Sequence, residues 1–109
     1  SGQAKFRRDV LRAYRNTCVL TGEKLETVLE APHIIPASKR GPDMVQNGFC
    51  MRADIHILFD NGHIRIAPNG DISYSDAVTT SVTYAALPSR IVIPAFVDAK
   101  AIEWRLRYL

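Results

Sequence analysis

Near the N-terminus, hydrophobic positions recur every three or four residues, with arginines between them. They are Phe6, Val10, Ala13 and Tyr14. This is the period of an amphipathic helix, in which one face is apolar and the other is charged. The pattern therefore predicts a helix over residues 3–15 whose outer face is basic.

The same period predicts two further helices. Apolar positions at i, i+3 and i+4 predict a short helix over residues 52–59, which ends before Gly62. Near the C-terminus, Asp98 is a suitable N-cap, and the apolar positions that follow it predict a final helix over residues 99–108.

Apolar runs bounded by turn residues predict strands. A β-hairpin is predicted over residues 64–74, where apolar and polar residues alternate on both sides of Pro68-Asn69-Gly70. The other predicted strands cover residues 17–20, 26–35 and 90–94, and segments 37–46 and 76–81 are predicted to be connectors. Because helices and strands do not alternate regularly, this order predicts an α+β fold.

The composition is that of a globular protein. Of the 109 residues, 47% are hydrophobic and 23% are charged, which excludes a disordered or collagen-like chain. This length predicts one domain over residues 1–109. Within it we assign a core to residues 17–75 and a C-terminal extension to residues 77–109. No apolar run approaches the ~20 residues of a membrane span, and no leader pattern begins the sequence. We therefore expect a soluble, cytoplasmic protein that does not contact membranes.

Positive charge is clustered rather than large. There are 14 basic and 11 acidic residues, and the isoelectric point is about 9.1. Four arginines and one lysine lie between residues 5 and 15 with a single aspartate, which suits a polyanionic partner such as nucleic acid. A solvated helix face has the same pattern, so charge alone leaves both interpretations open.

Two cysteines are too few for a disulfide framework or for a zinc site with four cysteines. Cys18 and Cys50 are interpreted as small apolar core residues.

Three residues have the chemistry that phosphodiester hydrolysis requires: His33, Asn47 and His56. A neutral imidazole can take a proton from an attacking water near pH 7. A second imidazole can bind a divalent cation, which stabilises charge on the phosphate and on the leaving oxygen. An amide side chain can hold the group that orients the first ring. This interpretation requires both imidazole rings to line one cleft.

The sequence around these residues resembles the HNH nucleases of the His-Me finger, or ββα-metal, superfamily. The similar segments are Glu30-Ala-Pro-His33-Ile-Ile-Pro36, Asn47-Gly48 and Arg52-Ala-Asp-Ile-His56-Ile-Leu-Phe-Asp60-Asn-Gly62. Within the superfamily, the chain is most similar to C-terminal cleavage domains of bacterial restriction endonucleases, some of which act on modified DNA. The resemblance implies a ββα-metal finger, with the basic N-terminal helix, the hairpin and the C-terminal helix around it.

The resemblance also implies a role for each of the three residues. His33 would be the general base, Asn47 would fix the loop that holds it, and His56 would bind a divalent cation. The implied cofactor is Mg²⁺, with Mn²⁺ or another divalent ion as alternatives. Many HNH proteins have a second metal ligand directly before the base, but Pro32 occupies that position here.

The identity of a second metal ligand stays open at this point. Asp60 lies one helical turn after His56 and on the same face, but it could also serve only to close the turn after the helix. Glu30 and Asp54 are the other candidates.

Four basic residues are predicted to contact DNA phosphates. Lys39 and Arg40 lie in the loop between the base and Asn47, Arg52 begins the predicted metal-binding helix, and Arg65 lies on the hairpin. His63, also on the hairpin, is interpreted as a surface residue without a chemical role.

These observations predict a metal-dependent DNA endonuclease, the cleavage domain of a restriction-type enzyme within a larger modular protein. Double-stranded DNA is the expected partner, and sequence preference is expected to belong to another domain. Because one site cuts one strand, a double-strand break would require a homodimer or two successive events. The alternatives are an inactive HNH-like DNA-binding module, a protein-interaction domain and a nuclease that acts on RNA.

Overall fold

The computed structural model describes residues 2–109 and has an α+β fold. The described residues form four helices: α1 (Gly2–Ala13), α2 (Ala53–Asp60), α3 (Asp76–Thr79) and α4 (Ala99–Tyr108). Two antiparallel strand pairs lie in the same part of the chain: β1 (Leu29–Glu30) with β2 (Met51–Arg52), and β3 (Ile64–Ile66) with β4 (Ile72–Tyr74). Single 3₁₀ turns lie at Glu26–Val28, Ala37–Lys39 and Val45–Asn47. None of the helices in residues 2–109 is both long and apolar enough to cross a bilayer.

The β1–β2 pair and α2 form a ββα unit. Leu29 pairs with Arg52 and Glu30 with Met51, and an isolated bridge between His33 and Gly48 extends the pairing beyond the ladder. Helix α2 begins directly after β2, so the two strands and the helix share one core. The finger that the sequence predicts is therefore present.

Helix α1 covers this unit through its predicted apolar face, and it ends where Arg15 and Asn16 adopt positive φ angles. Phe6 and Val10 are buried against the segment that contains Gly48. A Cβ at position 48 would lie 2.7 Å from a methyl carbon of Val10, so a glycine is needed for this close approach. The contact holds α1 directly beside the bridge to His33.

The hairpin and the final helix agree with their predictions. Ile64 pairs with Tyr74 and Ile66 with Ile72 in the β3–β4 ladder. The Asp98 carboxylate accepts a hydrogen bond from the Lys100 amide at 2.9 Å, which is an N-cap at the start of α4.

The prediction of a strand over residues 17–20 is wrong, because that segment forms turns. The Cys18 amide donates to the Glu23 carbonyl, and the Gly22 amide donates back to Cys18. Both cysteines are free and buried, as predicted, and burial raises the pKa of the Cys50 thiol to about 11.

The strand predicted over residues 26–35 is too long. Residues 26–28 form a 3₁₀ turn, and only Leu29–Glu30 pairs as a strand. Pro32 has no amide hydrogen to give to a ladder, which limits the pairing to the single bridge at His33.

Two further predictions about the C-terminal half are wrong. Residues 90–94 make one bridge, between Asp71 and Arg90, and no strand. The connector at 76–81 contains helix α3, whose N-terminus is capped by the Ser75 hydroxyl.

Candidate active site

His33 and His56 line one cleft, although they lie on different elements. His33 follows β1, and His56 is in the middle of α2, which packs against the same strand pair. The cleft is completed by Asp60 and by the segments around Pro32 and Pro36. The structure thus brings the two imidazoles together in the arrangement that the sequence interpretation required.

The His33 ring is held on two sides. Its face is stacked on Phe6, with a centroid distance of 4.0 Å and an interplanar angle of 7°. Its Nε2 lies 2.8 Å from Oδ1 of Asp43, and only 10% of the side chain is exposed. The ring therefore has a fixed plane and a fixed partner on one nitrogen.

Asn47 is buried and ties the loop after His33 together. Its Oδ1 accepts from the Ile35 amide at 2.9 Å, and its Nδ2 donates to the carbonyls of Ile35 and Pro42 at 3.0 and 3.1 Å. Its backbone carbonyl accepts from the Ile34 amide at 2.9 Å. Asn47 therefore joins both ends of the loop that runs from His33 to Asp43.

His56 lies between two carboxylates. Its Nδ1 is 2.6 Å from Oε1 of Glu30, and its Nε2 is 2.8 Å from Oδ2 of Asp60. A neutral imidazole has one N–H and can donate to only one carboxylate, so the lone pair of its other nitrogen then faces an oxygen of the second carboxylate, an arrangement that a bound cation would stabilise. Asp60, the last residue of α2, therefore contacts His56 as well as lying at the turn that ends the helix.

The donor types around His56 fit a divalent cation. One imidazole nitrogen with carboxylate oxygens and water is a ligand set that Mg²⁺, Mn²⁺ and related ions accept. Within residues 2–109, no three His, Cys, Asp or Glu side chains converge as a ready-made metal cage. Glu30 and Asp60 contact His56 from opposite nitrogens, whereas the Asp54 carboxylate is hydrogen-bonded to Arg52 and Tyr84.

The four basic residues predicted to bind DNA have different surroundings. Lys39 and Arg40 are exposed at the 3₁₀ turn next to the cleft. Arg52 donates to both oxygens of Asp54, and hydrogen bonds from Arg52 and Tyr84 lower the pKa of that carboxyl. Arg65 donates to the carbonyls of Leu106 and Leu109, so its guanidinium holds the end of α4.

The basic cluster on α1 is also partly engaged. Lys5 pairs with Asp9 at 2.6 Å, and Arg7 donates to the Leu29 carbonyl at 3.0 Å. Arg7 therefore links α1 to the strand that leads to His33. His63 is hydrogen-bonded to the Ser75 hydroxyl and does not line the cleft.

Sequence reasoning missed the role of Arg105, which lies on α4. Its guanidinium donates to the carbonyls of Ile34 and Phe59, both at 3.0 Å, and lies 3.8 Å above the Phe59 ring centroid. Burial lowers its pKa. Arg105 thus joins the residue after His33 to the last turn of α2. The sequence contains one sign of this inward role, because position 105 lies on the same helical face as the apolar residues Ile102 and Leu106.

Asp43 was also missed, because it lies in segment 37–46, which is predicted only as a connector. Its distance from His33 in the sequence is ten residues, and no local period connects the two positions.

Comparison with known proteins adds two similarities. Residues 18–67 match the family model of the HNH endonucleases. The fold is similar to that of a solved structure described as the modification dependent TagI restriction endonuclease, with a TM-score of 0.71 and 18% sequence identity. That match covers 97% of this chain and 38% of the other, so this chain spans well under half of that protein's length. No curated protein matches the chain. The ββα unit lies within residues 18–67, the segment that is similar to the HNH endonuclease family.

Proposed function

We propose that this domain hydrolyses phosphodiester bonds in DNA with the help of a divalent cation. The observation that carries the proposal is the cleft that His33 and His56 share. The HNH family match over residues 18–67 supports a nuclease, and the likeness to a restriction enzyme's fold favours DNA over RNA as the substrate.

His33 is proposed as the general base. A ring with one nitrogen bound to Asp43 has its other nitrogen available to take a proton from water. The attack of that water on phosphorus would break the bond to the 3′ oxygen, and the family resemblance implies 5′-phosphate and 3′-hydroxyl ends. Phe6 and Asp43 would keep the ring oriented, which lowers the entropic cost of reaching the reactive geometry.

His56 is proposed as the ligand of the cation, with Glu30 or Asp60 as a second ligand. A bound divalent ion would stabilise the negative charge that develops on the phosphate and the leaving oxygen. Because both carboxylates contact the His56 ring, binding of a cation at either nitrogen would displace one of these contacts. Arg105 would keep the two halves of the cleft at a fixed distance through its bonds to Ile34 and Phe59.

Plasmid nicking tests the proposed function. Wild-type protein with Mg²⁺ or Mn²⁺ should convert supercoiled plasmid to nicked circles before linear product appears, since one cleft cuts one strand. EDTA should stop the reaction, and RNA of matched length should be cut more slowly than DNA. DNA binding without cleavage under every metal condition would instead support the inactive DNA-binding module.

Lys39 and Arg40 are proposed to contact substrate phosphates. Charge reversal of both residues (Lys39→Glu with Arg40→Glu) should weaken DNA binding and reduce the slope of log K against log salt by about 2, because two phosphate contacts are lost. Fluorescence anisotropy at several salt concentrations measures this slope.

The matched control for this prediction is the same reversal at Lys100 and Arg107. Both lie on α4, and neither lines the cleft. An unchanged slope in the Lys39/Arg40 variant would show that these side chains face solvent in the complex.

The modular organisation is proposed as well. The chain matches 38% of a longer restriction endonuclease, which is consistent with a cleavage domain whose sequence preference belongs to another domain.

A further inference from the structure

We infer that Asp43 is the positioning residue for His33 and keeps its ring in the tautomer with the proton on Nε2. The inference rests on the proposed function, in which His33 is the general base. Nothing in the HNH motif itself supplies this carboxylate, which comes from the loop between the histidine and the asparagine.

The first support is the geometry of the contact. Oδ1 of Asp43 lies 2.8 Å from Nε2 of His33. An ionised carboxylate has only acceptor atoms, so the hydrogen of this bond belongs to the ring. A neutral imidazole carries one N–H, and Nδ1 is then the nitrogen with the free lone pair. The contact therefore selects which nitrogen can accept a proton.

The second support is that nothing else described at the ring performs this task. Phe6 stacks on the ring face and fixes its plane, but a stacked phenyl group cannot distinguish the two nitrogens. In the described part of the chain, the side-chain polar contact of the ring is the one to Asp43. Stacking and the carboxylate thus have separate functions, one for the plane and one for the tautomer.

The third support is that the loop carrying Asp43 is held in place. Asn47 donates to the Pro42 carbonyl, and the Gly41 amide donates to the Pro36 carbonyl at 3.0 Å. Position 41 has no space for a side chain, since a Cβ would lie 1.7 Å from the Ile35 carbonyl oxygen. The buried amide of Asn47 is therefore connected to His33 through Pro42 and Asp43.

Asp43 is half exposed next to a site that is proposed to bind a polyanion. A carboxylate without a function there would only repel phosphate, so its removal would strengthen DNA binding and leave the rate of cleavage unchanged. A positioning carboxylate differs from this in its effect on the rate. Its removal lowers the rate of the bound complex without weakening binding.

The experiment compares Asp43→Ala and Asp43→Asn with wild type under single-turnover conditions with Mg²⁺. We expect Asp43→Ala to lower the rate constant about 10- to 100-fold, the range that applies to partners that orient metal-bound imidazoles. Affinity for DNA should be equal or higher. Asp43→Asn should retain more of the rate, because its amide oxygen can still accept from Nε2. Glu103→Ala, which removes one exposed carboxylate from α4, is the charge-matched control and should behave as wild type.

The ¹⁵N spectrum of the imidazole rings gives a readout that is independent of cleavage. The His33 signals are assigned by their absence in His33→Ala, and in wild type they should show a protonated Nε2 and an unprotonated Nδ1. Asp43→Ala should change this pattern towards a mixture of tautomers. A wild-type rate in Asp43→Ala, or a wild-type ring protonated on Nδ1, overturns the inference. If the wild-type protein cleaves no nucleic acid, the proposed function fails, and the ring spectrum alone decides whether Asp43 sets the tautomer.

Discussion

Replacing His33 with alanine is expected to lower the rate of DNA cleavage by about 10²- to 10⁴-fold, the usual contribution of a general base. DNA binding should change little, because the imidazole acts on water rather than on the phosphate backbone. Single-turnover cleavage of a labelled duplex measures the rate, and anisotropy measures the affinity.

His63→Ala is the matched control for this variant. It makes the same change at a histidine that contacts Ser75 and does not line the cleft. It should cleave at the wild-type rate. Full activity in His33→Ala would contradict the assignment of His33 as the general base. Equal losses of activity in His33→Ala and His63→Ala would indicate a general effect on folding.

Replacing Asn47 with alanine is expected to destabilise the protein and to inactivate it. The change leaves the amide and carbonyl of Ile35 and the carbonyl of Pro42 without these partners in a partly buried loop. Each unsatisfied buried group costs about 1–3 kcal/mol, and partial access of water to the loop reduces the sum. We expect the free energy of unfolding to fall by about 2–4 kcal/mol, which urea denaturation measures and which is a large part of the stability of a small domain.

Asn61→Ala is the matched control, because it removes an asparagine side chain that does not hold the loop. Asn61 is exposed, and its side chain makes one hydrogen bond, to the Ile57 carbonyl. Its replacement should cost well under 1 kcal/mol, as expected for a surface site. If Asn47→Ala unfolded at the wild-type urea concentration, the buried amide would have no part in holding the loop.

The structure explains how one asparagine can matter to a histidine that it does not touch. Asn47 fixes the ends of the loop, the loop presents Asp43, and Asp43 contacts the His33 ring. Arg105 makes a second connection, from the residue after His33 to the end of α2. The two imidazoles are therefore held from both sides of the cleft by polar groups outside it.

Much of the fold follows from local pattern. Helices α1, α2 and α4 and the β3–β4 hairpin agree with the sequence prediction, because each shows its hydrophobic period or turn residues within a few positions. The strand at 26–35 was overestimated for a related reason: apolar residues predict burial, but Pro32 and the 3₁₀ turn at 26–28 limit the pairing. Local composition does not report which backbone amides find a partner strand.

The type of domain and its candidate chemistry can be recognised from local motifs, since the histidines and the asparagine lie in short segments with characteristic neighbours. What surrounds these residues depends on how distant elements pack. The ring of His33 meets Phe6 from α1 and Asp43 from a loop, and Arg105 reaches the Ile34 carbonyl across 71 positions of the chain. Contacts over such separations leave no period in the sequence, because they depend on how whole elements pack and not on the residues beside each position.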